Sequence, residues 1–595
     1  MQASTHARYL GLTIALLLTV LPAPPAAQSG DTLVTVGSPP TPFSRNKQNE
    51  PALAVDAHMS NVLAAGANDN IDMEACNAGD DSTCPFTQGV GVSGVYFSDN
   101  SGSDWMQPLY TGWTARDCLG VPGTHPNDPA DNCNPHVGSI GTLPRYYESG
   151  LVADGDPAVG FGPKPDANGH FSWSNGWRLY YANLTANFSA QRSEQTFKGF
   201  EAIAVSRLDS ENYDAAKAGD NSAWKAPVIV SRQNAALFSD HEMVAVDDAE
   251  DTSPFFGNVY VCNAAFRSQE IGGFPEPIVL NASSDGGNHW RTTQLSAAVD
   301  NAVNGGRQDC AVNTDSHGTL YVFWDGFDKR ANANAIYMIR SFDGGIHFQR
   351  PARIVTHFVG SGIFDPVGGL TNDGVAGARD GSFPTVDIAN GAPTGADATD
   401  EIVVAWTEGP TPTDTSQPNE QVRLLYSRNG GTSWHSGGVG SPDTDRPDFP
   451  AVAISPNGQD LYLTYMSFLQ PYQSTTATER LFQGVVRHAD VLASGNFDNW
   501  SELNRGPTGD ARGSSANALD SEFLGDYNYA FATNEFGVAV WNDGRDASDC
   551  PAVDAYRQSL VDGTPIPAPA PQQDCPFETF GNTDIYGGSY LDPTP

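Results

Sequence analysis

Apolar and polar residues alternate along this chain in short runs, and Gly, Asp, Asn and Pro separate the runs. A period of two over such lengths reads as half-buried β-strand. One kind of run recurs: NEPALAVD (Asn49–Asp56), GDPAVGF (Gly155–Phe161), DHEMVAVD (Asp240–Asp247), QDCAVNTD (Gln308–Asp315), SFPTVDI (Ser382–Ile388) and DFPAVAIS (Asp448–Ser455). GDYNYAFATN (Gly525–Asn534) is a diverged seventh. Most are followed by a second apolar strand, such as NVYVCNA, TLYVFWD, EIVVAWTE or GVAVWND, and then by a third.

The third strand ends at a recurring turn. Ser283–Trp290 reads SSDGGNHW, with versions at Ser341–Phe348, Ser427–Trp434 and Ser98–Trp105, all fitting S-x-(D/N)-x-G-x-x-(W/F). Glycine supplies the positive φ, the Asp or Asn side chain accepts the turn's own N–H groups, and the closing aromatic anchors the turn by packing. A fourth strand follows the aromatic. Tandem four-stranded antiparallel units separated by turns describe the blades of an all-β propeller.

The count of inner strands predicts seven blades, with six as the alternative. The seventh blade runs out of chain after a third strand at Asn582–Tyr590, while Thr32–Val36 near the N-terminus is a strand without a blade. That strand is expected to complete blade seven and close the ring, hiding an edge. Residues 1–27 then read as an export signal, 28–48 as closing strand and linker, and 49–595 as the propeller, with a Pro-rich insert stapled by cysteines at about 545–580. Inserts at Met73–Pro85, Thr114–Tyr147 and Gly360–Ala378 are expected as loops on one face.

The export signal consists of Arg8, an apolar Tyr9–Leu21 and a small-residue segment to Ala27. No later run approaches the ~20 apolar residues of a membrane span. The expected location is secreted, extracellular or periplasmic. The formal net charge of −39 excludes nucleic acid as partner, because phosphates demand a basic surface. Eight cysteines suit an oxidising compartment. Proximity pairs Cys76–Cys84, Cys118–Cys133, Cys550–Cys575 and Cys262–Cys310, with connectivity open at this level. None has zinc spacing, and no cofactor is expected, a structural Ca²⁺ on the acidic Asp72–Asp81 loop being the one candidate ion.

The turns and the D-x-P-A-V-type inner strands together resemble the sialidase-like propellers that carry BNR, or Asp-box, repeats, over nearly the whole chain after residue 27. The resemblance implies that the box aspartates, Asp285 and Asp343 among them, are turn staples on the outer rim. It implies a glycoside hydrolase built from an arginine cluster, a Tyr–Glu nucleophile pair and an acidic proton donor. Where the family carries Arg-Ile-Pro, this chain reads Asn49-Glu50-Pro51.

Residues at the inner-strand starts should surround one mouth of the central channel. On that basis Arg307, Arg379 and Arg446 are the candidate anion clamp, Asp156 or Asp309 the general acid, and Tyr527 with Glu242 the nucleophile pair. Glu50, Asp240, Asp380, Asp448 and Asp526 belong to the same ring. Two functions are expected from this: a secreted propeller that binds or hydrolyses extracellular glycans at its central face, or a non-catalytic module that binds protein or polysaccharide. Arg–Asp bridges that merely tie blades together are the competing explanation of the ring.

Overall fold

A computed structural model describes residues 30–594 except 77–85, 119–134, 232–233, 235, 268–274, 302–303, 382, 410–419 and 576–578. The export signal, Cys84 and Cys133 therefore lie outside the described residues. The chain forms a β-propeller of seven small antiparallel sheets, mostly four-stranded, so the six-bladed alternative falls away. The inner strands of blades 1 to 7 are Gln48–Val55, Ala158–Pro165, Phe238–Val246, Asn304–Thr314, Thr385–Ile388, Arg446–Ile454 and Tyr529–Ala532. Among the described residues blade 1 has three paired strands, and its fourth position is reduced to a bridge between Phe97 and Met106.

The ring closes as the unpaired N-terminal strand implies. In blade 7 the order is Tyr529–Ala532, Phe536–Asp543, Asp584–Leu591 and then Thr32–Leu33, with Thr32 opposite Gly587 and Leu33 opposite Tyr586. Val34 continues the contact by donating to Ile585 O at 2.8 Å, and its side chain is fully buried with Phe536, Val538, Val540 and Ile585. The first and last parts of the chain thus share one sheet and one core.

Apolar cores fill the seams between blades. Tyr260, Cys262, Val312, Leu320 and Trp324 pack between blades 3 and 4, and the Cys262–Cys310 disulfide crosses the same seam. Cys550–Cys575 staples the late insert. That insert holds the helix Pro551–Val561, which the Pro-rich sequence did not suggest; Pro551 starts it, where a missing N–H costs nothing. The Gly360–Ala378 insert likewise contains a small ribbon, Ile363–Asp365 paired with Gly369–Thr371.

The box turns join third to fourth strands, at the opposite end of each blade from the inner-strand starts. Asp285 Oδ1 accepts from the N–H groups of Asn288 and His289, both at 3.0 Å, and from Ser283 Oγ at 2.9 Å. Three of the four turns also take an arginine from the blade before them, and the Ser98–Trp105 turn takes Ser589 Oγ on Ser101 O. Arg178 donates to Gly286 O at 2.8 Å, Arg291 donates to Gly345 O, and Arg340 to Gly430 O. The boxes are structural staples both within and between blades.

Candidate functional site

The inner strands begin with an unusual backbone. Glu50 (φ 53°), Asp156 (φ 50°), His241 (φ 50°), Asp309 (φ 59°) and Phe449 (φ 50°) all occupy the left-handed region. Non-glycine residues rarely adopt it. In blades 1, 3, 4 and 6 the pairing register slips at the same place, between Asn49 and Ala52, Asp240 and Met243, Gln308 and Ala311, and Asp448 and Ala451. A bulge bends its strand and re-aims a side chain. Repeated in four blades, it re-aims the side chains at those strand starts toward the channel mouth. The x-Pro-Ala-Val pattern of the sequence is the local signature of this bend.

These side chains and the loops above them enclose a basin of about 750 Å³. Glu50, Asp154, Asp156, Asp240, His241, Arg379, Asp380 and Asp526 line it, together with Lys47, Asn70, Phe86, Phe383 and Phe523. The opposite mouth holds a smaller cavity of about 330 Å³, lined largely by Val, Ile, Leu and Ala from the inner strands. Charge concentrates at the first mouth.

Glu50 is a strongly perturbed group on the basin wall. Burial pushes its carboxyl well above the ordinary range, and the neighbouring Asp156 and Asp526 push it further, with Arg379 acting in the other direction. Its carboxyl neighbours that of Asp156 across the seam of blades 1 and 2. Asn68 bridges the same pair, donating from Nδ2 to Glu50 Oε2 and accepting from the Asp156 N–H at 2.8 Å. Arg379 forks Asp526, with Nε to Oδ1 at 2.6 Å, and its Nη2 stands 3.8 Å from Glu50 Oε1.

A second cluster lies one blade further round. His241 Nδ1 is 2.7 Å from Asp309 Oδ1, both buried. Burial works against the imidazolium, but Asp309, Asp240 and Asp156 outweigh it and raise His241 to about 9. The ring sits edge-on to Tyr527 at 5.1 Å and to Phe383 at 5.5 Å. Asp240 is pushed up to about 8 by burial and by Asp156. Glu242 is buried with neither carboxylate oxygen hydrogen-bonded, and burial, Asp156 and Asp240 hold it well above the usual range. Burial also raises the Tyr527 phenol.

Asp156 and Arg379 therefore line the basin, while Asp309 and Tyr527 flank it through His241. Glu242 sits beneath it among Asp156 and Asp240. Arg307 and Arg446 are not among the lining residues. Arg307 donates from Nη1 to Val299 O at 3.1 Å. Arg446 is buried, donating from Nε and Nη2 to the two oxygens of Glu420, both at 3.1 Å, and from Nη2 to Asn372 O at 2.9 Å. The three guanidinium groups are not gathered at one point.

His241, Lys47, Asn70 and Phe523 also line the basin, although none is a candidate in the sequence alone. His241 was open to detection, because it takes the place in its run that Glu50, Asp156 and Asp309 take in theirs. The other three come from non-repeating segments. The Asp72–Asp81 loop leaves the described residues at position 77, and Asp72 itself is occupied by Arg116, by Thr142 Oγ1 at 2.9 Å and by the Gly141 N–H. Among the described residues one group, Asp460, His488 and Asp490, brings metal-ligating atoms within 4.8 Å, and none of it lines the basin.

No family model and no curated protein matches this chain. Among solved structures, a Hadza microbial sialidase aligns with 69% of this chain and 68% of its own, at 11% identity and a TM-score of 0.35. An α-L-arabinofuranosidase from Fusarium graminearum aligns over 72% and 92%, at 11% identity and a TM-score of 0.35. The intramolecular trans-sialidase from Ruminococcus gnavus aligns over 73% and 94%, at 11% identity and a TM-score of 0.36. At identities this low the chemistry of the chain has to be read from its own basin.

Proposed function

We propose that the basin hydrolyses the glycosidic bonds of uncharged glycans, outside the cytoplasm. The observation that carries this is Glu50: a buried carboxyl on the wall of a cavity large enough for sugar rings, whose hold on its proton is strengthened by burial and by Asp156. A neutral carboxyl at neutral pH is what protonation of a leaving glycosidic oxygen requires. Glu50 gives its proton to that oxygen as the C–O bond breaks. Asp526, steered by the Arg379 fork, is the carboxylate that meets the anomeric carbon or the attacking water. The neighbouring Asp156 strengthens the hold of Glu50 on its proton. The two disulfides among the described residues support an oxidising compartment.

Charge argues for an uncharged substrate. Arg379 is the one arginine on the basin wall among the described residues, and Asp526 already occupies it. The remaining wall offers no second guanidinium to clamp a carboxylate sugar among the described residues. The test is a panel of chromogenic glycosides, neutral ones beside a sialoside. Turnover of a neutral member is expected, with kcat lowered roughly 10²-fold or more in Glu50→Gln and Asp526→Asn. Cleavage of the sialoside alone, or full activity in Glu50→Gln, overturns the reading. Glycan binding without any turnover would assign the basin to recognition instead.

A further inference from the structure

The blade 1 side of the basin carries donors that the carboxyl chemistry does not use. Asn70 lines the basin at 2% exposure, and its Nδ2 has no partner within the protein. A buried amide donor left unpaired is costly, and such a group on a cavity wall marks the place of a ligand acceptor. Lys47 lies beside it: the Asn70 N–H donates to Lys47 O at 3.1 Å, and Lys47 lines the same wall at 5% exposure. The Lys47 ammonium is held by Asn517 Oδ1 and stands 5.9 Å from the centre of the Phe523 ring. At the rim of this wall Phe86 is 55% exposed, an apolar ring that lines the basin and is open to solvent.

An orphan N–H, an ammonium and an open aromatic face are the three elements that hold a sugar ring: two donors for its oxygens and a flat surface for its C–H face. The cavity measures about 750 Å³. That volume falls in the range that takes a ligand larger than one ring. A doubly paired anion clamp is absent from this wall among the described residues, since the Arg379 guanidinium is taken by Asp526. We propose, on the reading that the basin cleaves glycans, that Lys47, Asn70 and Phe86 form a second sugar subsite. The substrate is then an uncharged oligosaccharide of at least two units. One unit lies at Glu50 and Asp526, and its neighbour rests on Phe86 with hydroxyl or carbonyl oxygens on Asn70 Nδ2 and Lys47 Nζ.

The experiment compares kcat/KM for chromogenic mono- and disaccharide glycosides of the sugar that the panel identifies. In the wild type the disaccharide is preferred, and Asn70→Ala and Phe86→Ala each lower the disaccharide-to-monosaccharide ratio about tenfold. Lys47→Met should do the same; if it unfolds the protein, Asn70→Ser and Phe86→Leu carry the test. Calorimetry on Glu50→Gln protein with gluco-, xylo-, arabino- and chito-trisaccharides reads the subsite without turnover. A ratio unchanged in folded Asn70 and Phe86 variants overturns the subsite while leaving hydrolysis standing. Trisaccharide binding that Asn70→Ala weakens, with no glycoside cleaved, leaves the subsite standing and overturns hydrolysis.

Discussion

Arg379 reaches from the segment before blade 5 to fork the two oxygens of Asp526 in blade 7, while its Nη2 stands 3.8 Å from Glu50 Oε1 in blade 1. One guanidinium thus joins the two carboxyl groups assigned to the chemistry. It is 46% exposed, so its removal opens space rather than emptying a core. Arg379→Met should lower kcat/KM by about 10²-fold by letting Asp526 drift, since a misplacement of about 1 Å costs that much. Arg446→Met should act differently. Arg446 and Glu420 are both buried. Taking away one partner of such a pair costs about 3–5 kcal/mol. Steady-state kinetics and denaturant midpoints measured on both variants separate the two roles. Equal losses of activity at equal stability would overturn the distinction.

Alkaline pH should weaken the fold through the channel mouth. His241 is raised to about 9, above the 6.5 of an unfolded imidazole, so the folded state binds its proton more tightly. Its contribution is full below about pH 6.5 and is lost as pH rises through 9. Asp240, raised to about 8, acts in the same sense: the folded state favours its protonated form, so stability falls as pH climbs from about 4 to 8. Glu50 and Glu242 are raised as well and add to the trend. The melting temperature should therefore fall between pH 6 and 9.5, and fall less steeply in His241→Gln and Asp240→Asn. A flat wild-type profile, or parallel slopes in the variants, would contradict this.

Ring closure by Thr32–Leu33 makes a short N-terminal segment essential to a large molecule. Val34→Asp puts a charge among Phe536, Val538, Val540 and Ile585, where nothing can pair with it. Val34→Ala removes two methyl groups from the same core and should cost about 1.5–2 kcal/mol. Deleting residues 30–36 uncovers the edge of Asp584–Leu591, an invitation to strand pairing between molecules. The expected result is a lowered unfolding midpoint for Val34→Ala and concentration-dependent association for the deletion, read by light scattering. A deletion that stays monomeric with an unchanged midpoint would show that the closing strand is dispensable.

The blades were legible in the sequence because their instructions are local. A Ser-x-Asp-x-Gly turn and an x-Pro-Ala-Val start each act within a few residues, and repetition makes them audible above variation. Thr32–Val36 could be placed for the same reason, since it was a strand with no partner facing a blade with no fourth strand. The site was legible only where it inherits that repeat. Glu50, Asp156 and Asp309 sit at the bend of their runs, and His241 occupies the same position. Arg446 and Arg307 also stand near strand starts, yet their side chains turn to Glu420 and to Val299 O. Nothing in the local sequence says which way a long side chain will turn when its best partner lies on a different segment. Lys47, Asn70 and Phe523 were hidden because the loops that bring them together carry no period.

The box turns offer the sharpest separation of stability from chemistry. Asp285 accepts from two backbone N–H groups and a serine hydroxyl at one turn, on the face away from the basin. Ser283 Oγ in turn accepts from the Gly287 N–H at 3.0 Å, inside the protein. Asp285 is 41% exposed, so solvent replaces part of what Asp285→Ala loses. The expected cost is about 1 kcal/mol. Ser283→Ala leaves a buried N–H without its acceptor and should cost more, about 1–3 kcal/mol. Neither residue lines the basin, so kcat and KM should match the wild type in both variants. Denaturant titration beside kinetics on the best glycoside checks this. A fall in kcat without a fall in stability would return the box aspartate to the chemistry and overturn its assignment as a staple.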